Sequence, residues 1–95
     1  MIAPRVHLNG TSRGDLLAAI RDARTSIHAA LTALKHTAPH GRDYYVIGPC
    51  AYAQARDEYV TRLDRLHTTN DELIAMYRAI EENKIEFRLQ SEVYE

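Results

Sequence analysis

Two long stretches of the chain place apolar residues at alternating steps of three and four, which is the spacing of a heptad repeat. In the first stretch, about residues 13–37, these positions are Leu16, Ile20, Ala23, Ile27, Ala30 and Leu34. In the second, about residues 49–83, the two heptad positions hold Tyr52, Tyr59, Leu66, Leu73 and Ile80, and Arg56, Leu63, Asn70 and Tyr77. Each pattern predicts an amphipathic helix that buries one face.

Residues that start and stop helices mark the ends of both stretches. Ser12 is a good N-cap, with Asp15 three residues later as in a capping box. Pro39 and Gly41 end the first helix, and Pro49 suits the first turn of the second. The sequence therefore predicts one mainly α domain over residues 1–95, an antiparallel two-helix hairpin with a loop at residues 38–48.

Both ends of the chain alternate apolar and polar residues with a period of two. Val6 and Leu8 alternate with charged or polar neighbours near the N-terminus, and Ile85, Phe87 and Leu89 do so after the second helix. This period is typical of β-strands. We expect two short strands that pair within or between chains, with residues 84–95 as a C-terminal strand or tail.

Several apolar residues lie outside the heptad positions, and a hairpin has no third layer to cover them. They are Leu17, Leu31, Val60, Ile74 and Met76. Residues 1–47 carry six Arg or Lys and three Asp or Glu, whereas residues 48–95 carry six and ten, so the halves have net charges of +3 and −4. Both features favour a homo-oligomer, a dimer or tetramer built as a helical bundle.

Composition narrows the classes of function. The net charge is −1, so we expect neither nucleic acid nor a membrane surface as partner. Cys50 is the only cysteine, which rules out an intramolecular disulfide and favours a cytoplasmic protein. The chain holds no nucleophile–base motif, no glycine-rich phosphate loop and no metal-ligand spacing. We therefore expect a protein that is not an enzyme and uses no metal or cofactor.

The loop carries more charged and aromatic side chains than a turn requires, and it leads directly into a helix N-terminus. Its candidate ligand-binding residues are His40, Arg42, Asp43, Tyr44 and Tyr45. Helix N-termini attract anions, and arginine grips phosphate or carboxylate with two hydrogen bonds. Arg56 belongs with them because a guanidinium in a helix seam needs an anion. Alternatively, Tyr45 and Val46 close the end of the bundle and Arg42 pairs with Asp43.

A second polar cluster precedes the first helix and consists of His7, Asn9, Thr11 and Arg13. Its alternative interpretation is a simple turn at Asn9-Gly10 followed by capping at Ser12. The two clusters lie at opposite ends of the first helix, so only an antiparallel neighbour could join them. Asn70, a polar residue in the seam, favours a role in fixing register or oligomeric state.

The segments HLNGTS, from His7 to Ser12, and APHGRDYY, from Ala38 to Tyr45, resemble a family of small phage and prophage proteins. The resemblance extends to about residue 80 and implies a helical hairpin without implying an activity. In size and architecture alone, the chain is also similar to phage anti-defence sponges, which sequester nucleotide immune signals between subunits.

The sequence thus supports two functional hypotheses. The first is an oligomeric phage protein in the bacterial cytoplasm that binds a small anionic ligand, such as a nucleotide-derived immune signal, at pockets between protomers. The second is a structural or protein-interaction helical module that docks on a host or phage protein.

Overall fold

The computed structural model describes the backbone of residues 1–94 and the side chains of residues 1–82. Helix α1 spans Arg13–Leu34 and helix α2 spans Ala51–Tyr94, with short 3₁₀ turns at Lys35–Thr37 and Gly41–Asp43 between them. The two helices pack as an antiparallel hairpin that measures 74 × 18 × 17 Å. The predicted mainly α hairpin is confirmed.

Helix α1 begins where its capping residue predicts. Ser12 has extended backbone angles, and its Oγ accepts a hydrogen bond of 3.1 Å from the backbone N–H of Asp15. This bond satisfies one of the free N–H groups of the first turn. At the other end of the helix the last turn tightens into the 3₁₀ turn Lys35–Thr37, and Ala38 and Pro39 leave the helical path.

Helix α2 starts two residues after Pro49. The backbone N–H of Ala51 donates to the carbonyl of Gly48 at 3.3 Å, and that of Gln54 donates to Cys50 at 3.1 Å. Gly48 itself has a φ of 152°, a conformation that residues with a β-carbon rarely adopt. Glycine is therefore required at the point where the loop turns into the helix.

The core lies where α1 crosses the later turns of α2. Leu17, Ile20 and Ile80 form its centre, and Ile80 is completely buried. Leu31 is also buried, at 7 % exposure. Our placement of Leu17 and Leu31 outside the seam is therefore wrong. Leucine at these positions buries more apolar area than alanine at 23 and 30, so the helix turns these leucines inward.

The seam of α2 follows the predicted heptad from Tyr59 onward. Its positions are Tyr59, Leu63, Leu66, Asn70, Leu73, Tyr77 and Ile80, all buried or half-buried. Before Tyr59 the inward positions are Ala51 and Ala55, and Tyr52 and Arg56 are exposed. Our placement of Tyr52 and Arg56 in the seam is wrong, because 3.6 residues per turn drift away from a strict heptad.

The predicted terminal strands are also wrong. Residues 1–12 form no strand, and the backbone of residues 84–90 continues helix α2. The three alternating apolar residues of that segment are separated by glutamate and arginine, which favour helix. Without a partner strand from the N-terminal arm, continuing the helix satisfies the backbone hydrogen bonds.

Candidate functional site

The loop end of the hairpin, defined as residues 35–50 and the first turns of α2 to residue 61, is held by consecutive turn hydrogen bonds. Within it, Asp43 N–H donates to the His40 carbonyl at 3.0 Å, and Tyr44 and Tyr45 N–H both donate to Gly41, at 3.0 and 3.1 Å. Ile47 N–H then donates to Tyr44 at 3.0 Å. The backbone is thus fixed by its own hydrogen bonds, which leaves the side chains free for other contacts.

One aromatic contact ties this loop to α2. The rings of Tyr44 and Tyr52 have centroids 6.5 Å apart and are inclined at 50°. Tilted aromatic pairs at this separation are favourable beyond the area that they bury. Tyr44 is half-buried as a result, so it acts as an anchor of the loop as well as a candidate ligand residue.

Three consecutive apolar side chains follow this anchor and are open to solvent. Tyr45 and Val46 are each 75 % exposed and Ile47 is 70 % exposed. The alternative in which Tyr45 and Val46 close the end of the bundle is therefore wrong for the hairpin. Sequence reasoning missed Ile47 as a surface residue, although three large apolar residues in succession within a loop are themselves a signal of an interaction site.

The charged candidates of the loop end are all exposed. Among the described side chains the only ion pair joins Arg62 to Glu58, at 3.9 Å, so Arg42 does not pair with Asp43. Arg56 also has no ion-pair partner among these residues and lines an open depression of about 540 Å³ with Tyr52 and Val60. The fold thus brings Arg42 and Arg56 to the same end of the molecule, beside the tyrosine pair.

The second candidate cluster has a structural explanation. The Gly10 N–H donates to the His7 carbonyl at 3.2 Å, which closes the turn, and Ser12 caps α1. Asn9 and Thr11 are exposed, and Arg13 is half-buried with its Nε enclosed and without a hydrogen-bond partner. This cluster lies at the far end of α1, about 33 Å of helix away from the loop. One hairpin does not unite the two clusters.

Three further features bear on the chemistry of the described part of the chain. Across residues 1–82 no group of three His, Cys, Asp or Glu side chains is placed to hold a metal ion. Cys50 is exposed at the loop end as a free thiol. None of the helices, over the residues searched, is long and apolar enough to cross a membrane.

Comparisons of the chain with protein-family models, with curated proteins and with solved structures found no match. The residues of the loop end and the faces of the two helices are therefore the features that bear on function.

Proposed function

We propose that this chain is a non-enzymatic binding module whose loop end docks on another protein. The observation that carries the proposal is the exposure of Tyr45, Val46 and Ile47 on a backbone that is already fixed by turn hydrogen bonds. Leaving three adjacent apolar side chains in water costs free energy that a partner surface recovers. Tyrosine and arginine, both present here, dominate the energetics of many protein interfaces.

The shape of the loop end favours a protein partner over a small molecule. Ligand pockets enclose about 70–90 % of a small molecule's surface. The apolar side chains at 45–47 project from a loop, and the neighbouring depression is lined by a single face of α2, from Tyr52 to Thr61. A partner protein with a complementary groove would cover this surface in full.

Site-specific photo-crosslinking tests the proposal. A benzoylphenylalanine at position 46, in cells that naturally make the protein, should yield a discrete cross-linked partner. The matched control carries the same group at Ala29, which is exposed on α1 and away from the loop. The partner should also be lost when Ile47→Asp is combined with the crosslinker at position 46. Identical products from positions 46 and 29, or none from position 46, would refute docking through the loop end.

A second candidate function is supported by a separate observation. Arg42 and Arg56 are both exposed without an ion-pair partner among the described residues, and the Tyr44–Tyr52 pair lies beside them. Guanidinium groups and aromatic rings together suit a phosphorylated nucleotide. In this form the protein would be an oligomeric phage product that sequesters a nucleotide-derived immune signal in an infected bacterium, in keeping with its resemblance to phage proteins.

Calorimetric titration against cyclic dinucleotides, ADP-ribose and nucleoside triphosphates tests this second function. Arg42→Ala should weaken binding about ten- to a hundred-fold, the effect of losing one charge-assisted hydrogen-bonded contact. Arg42→Lys should weaken it as well, because lysine keeps the charge and loses the planar fork. Arg5→Ala, at the opposite end of the hairpin, is the control and should bind normally. Equal affinity of all four proteins, or no binding to any nucleotide, would exclude this site.

A further inference from the structure

The hairpin exposes more surface than a compact protein of its mass. Its solvent-accessible area is 7530 Å². A compact monomer of 10.8 kDa would expose about 5,500 Å². The difference, about 2,000 Å², exceeds the roughly 800 Å² that each partner buries in an interface of standard size. The chain therefore has ample surface for a stable dimer, and both broad faces of the two-helix layer are open.

One of these faces carries basic and acidic side chains in a regular order. On α1, a basic stripe recurs every seven residues and consists of Arg21, His28 and Lys35. On α2, an acidic stripe with the same spacing consists of Asp57, Asp64 and Asp71. All six side chains are exposed, and none forms an ion pair within the described residues.

Between these two stripes lies a third, also on α2. Its residues each come one position after a seam residue of α2, and they are Val60, His67 and Ile74. The residues of the basic stripe likewise come one position after the seam residues of α1. In an antiparallel pair of helices these two positions border the same side of the seam. Val60 is 45 % exposed and Ile74 is half-buried, so this middle stripe offers apolar surface flanked by opposite charges.

We infer that this face is an interface with a second copy of the chain, related by a two-fold axis parallel to the helices. Such an axis places α1 of one protomer over α2 of its partner, in the opposite direction, and gives an antiparallel four-helix bundle. The basic stripe then covers the partner's middle stripe and reaches the partner's acidic stripe. The other in-plane two-fold axis, perpendicular to the helices, stacks the basic stripe on itself and is disfavoured by charge repulsion.

The register within the hairpin aligns these charges without adjustment. Arg24 Nε donates a hydrogen bond of 3.2 Å to Asn70 Oδ1, so these two residues lie at the same level. Because the helices are antiparallel, three residues back from Arg24 corresponds to three residues forward from Asn70, so Arg21 is level with residue 73. Asp71 is two residues, or about 3 Å along the helix, from that level. Because the axis is parallel to the helices, it preserves levels between protomers. Lys35 is likewise two residues from the level of Asp57.

The stripes also end together. Seven residues before Arg21 the chain has Gly14, which carries no charge. Seven residues after Asp71 it has Arg78, which would repel a basic side chain of the partner. The acidic stripe therefore stops where the basic stripe stops.

Of the surface assigned to docking, this dimer covers only the depression, at Asp57 and Val60, and it leaves the exposed side chains of Tyr45, Val46 and Ile47 open. The docking proposal rests on those three side chains, so either proposal can fail while the other stands. The dimer also places both loop ends at one end of the bundle.

Charge reversal followed by rescue tests this interface by sedimentation equilibrium. Arg21→Glu and Asp71→Arg should each weaken the dimer at least about tenfold, and the double variant should return it to near the wild-type affinity. Arg65→Glu makes the same change of net charge as Arg21→Glu, on an exposed residue of α2 outside the three stripes, and should leave the dimer unchanged. If either reversal lowers the helical content, Lys35→Glu with Asp57→Lys replaces that pair. A wild-type protein that is monomeric at tens of micromolar, or single reversals that the double variant does not rescue, would overturn the inference.

Discussion

Ile80 supplies the sharpest test of the hairpin core. It is the one described residue with no exposed surface, and it packs in one cluster with Leu17 and Ile20 of α1. Truncating a buried isoleucine to alanine costs about 2–5 kcal/mol, through lost apolar transfer and the cavity that remains. The cavity would lie between only two helices, which can move together and partly fill it. We therefore expect Ile80→Ala to lower the free energy of unfolding by about 3 kcal/mol.

This loss is large for such a small core. A domain of this length has a total stability of roughly 5–14 kcal/mol. A destabilisation of about 3 kcal/mol should lower the melting temperature by about 12–24 °C, at roughly 4–8 °C for each kcal/mol. Thermal unfolding followed by circular dichroism at 222 nm measures the shift. All proteins must be compared at one concentration, because association stabilises the folded state by mass action.

The chain offers the same substitution at an exposed position as a control. Ile2 is 93 % exposed, so Ile2→Ala removes the same atoms with no core contact to lose. Its effect should stay below about 0.5 kcal/mol. Equal shifts for the two variants, or a cost for Ile80→Ala below about 1 kcal/mol, would refute the packing of α1 on the later turns of α2.

Two further predictions concern the backbone of the turn and the polar residue of the seam. Gly48→Ala should destabilise the protein by about 1–2 kcal/mol, because alanine is strained at a φ of 152°. Gly14→Ala should instead stabilise it by about 0.5–1 kcal/mol, because a β-carbon at this position in the first turn of α1 would meet no atom within 4 Å. Urea titrations that move both unfolding midpoints in the same direction would contradict this pair of predictions. Asn70→Leu removes a buried amide and its hydrogen bond to Arg24, so it should raise the melting temperature and broaden the distribution of oligomers in sedimentation velocity. A lower melting temperature with one sharp species would show instead that Asn70 serves stability.

The elements that sequence patterns predicted well are those decided by local chemistry. The heptad spacing requires each helix to bury one face, and a short loop between two such helices leaves antiparallel packing as the available solution. The N-cap at Ser12 follows from a side chain that satisfies a backbone N–H three residues away. Asn70 also lies in the seam as predicted, paired with Arg24 of the other helix.

The choice between adjacent apolar positions could not be read from spacing alone. Leu16 and Leu17 both fit a seven-residue repeat, and the position that faces α2 depends on which set of side chains fills the interface. The same applies to Arg56, where a shift of one position by helical drift moves the guanidinium from the seam to solvent. At the C-terminal end, three alternating residues were too few to outweigh continuation of the helix.

The candidate site, like the fold, could be predicted from the sequence only in part. The sequence alone indicates Arg42 and the two tyrosines of the loop as candidate site residues, because a turn needs none of these side chains. Their roles depend on tertiary geometry, since Tyr44 packs on Tyr52 while Tyr45 is left in solvent. The order of charges on the two helices was visible only as a difference between chain halves. The hydrogen bond between Arg24 and Asn70 supplies the register that converts this difference into a matched face.

The most direct test of the account uses Cys50, the single cysteine, which is exposed at the loop end. A nitroxide attached to it reports, by double electron–electron resonance, the distance between the loop ends of two protomers. The proposed two-fold axis keeps both loops at one end of a four-helix bundle, so a single distance of about 15–35 Å is expected. Distances beyond about 50 Å would place the loops at opposite ends of the helices and contradict it, as would the absence of any dipolar signal.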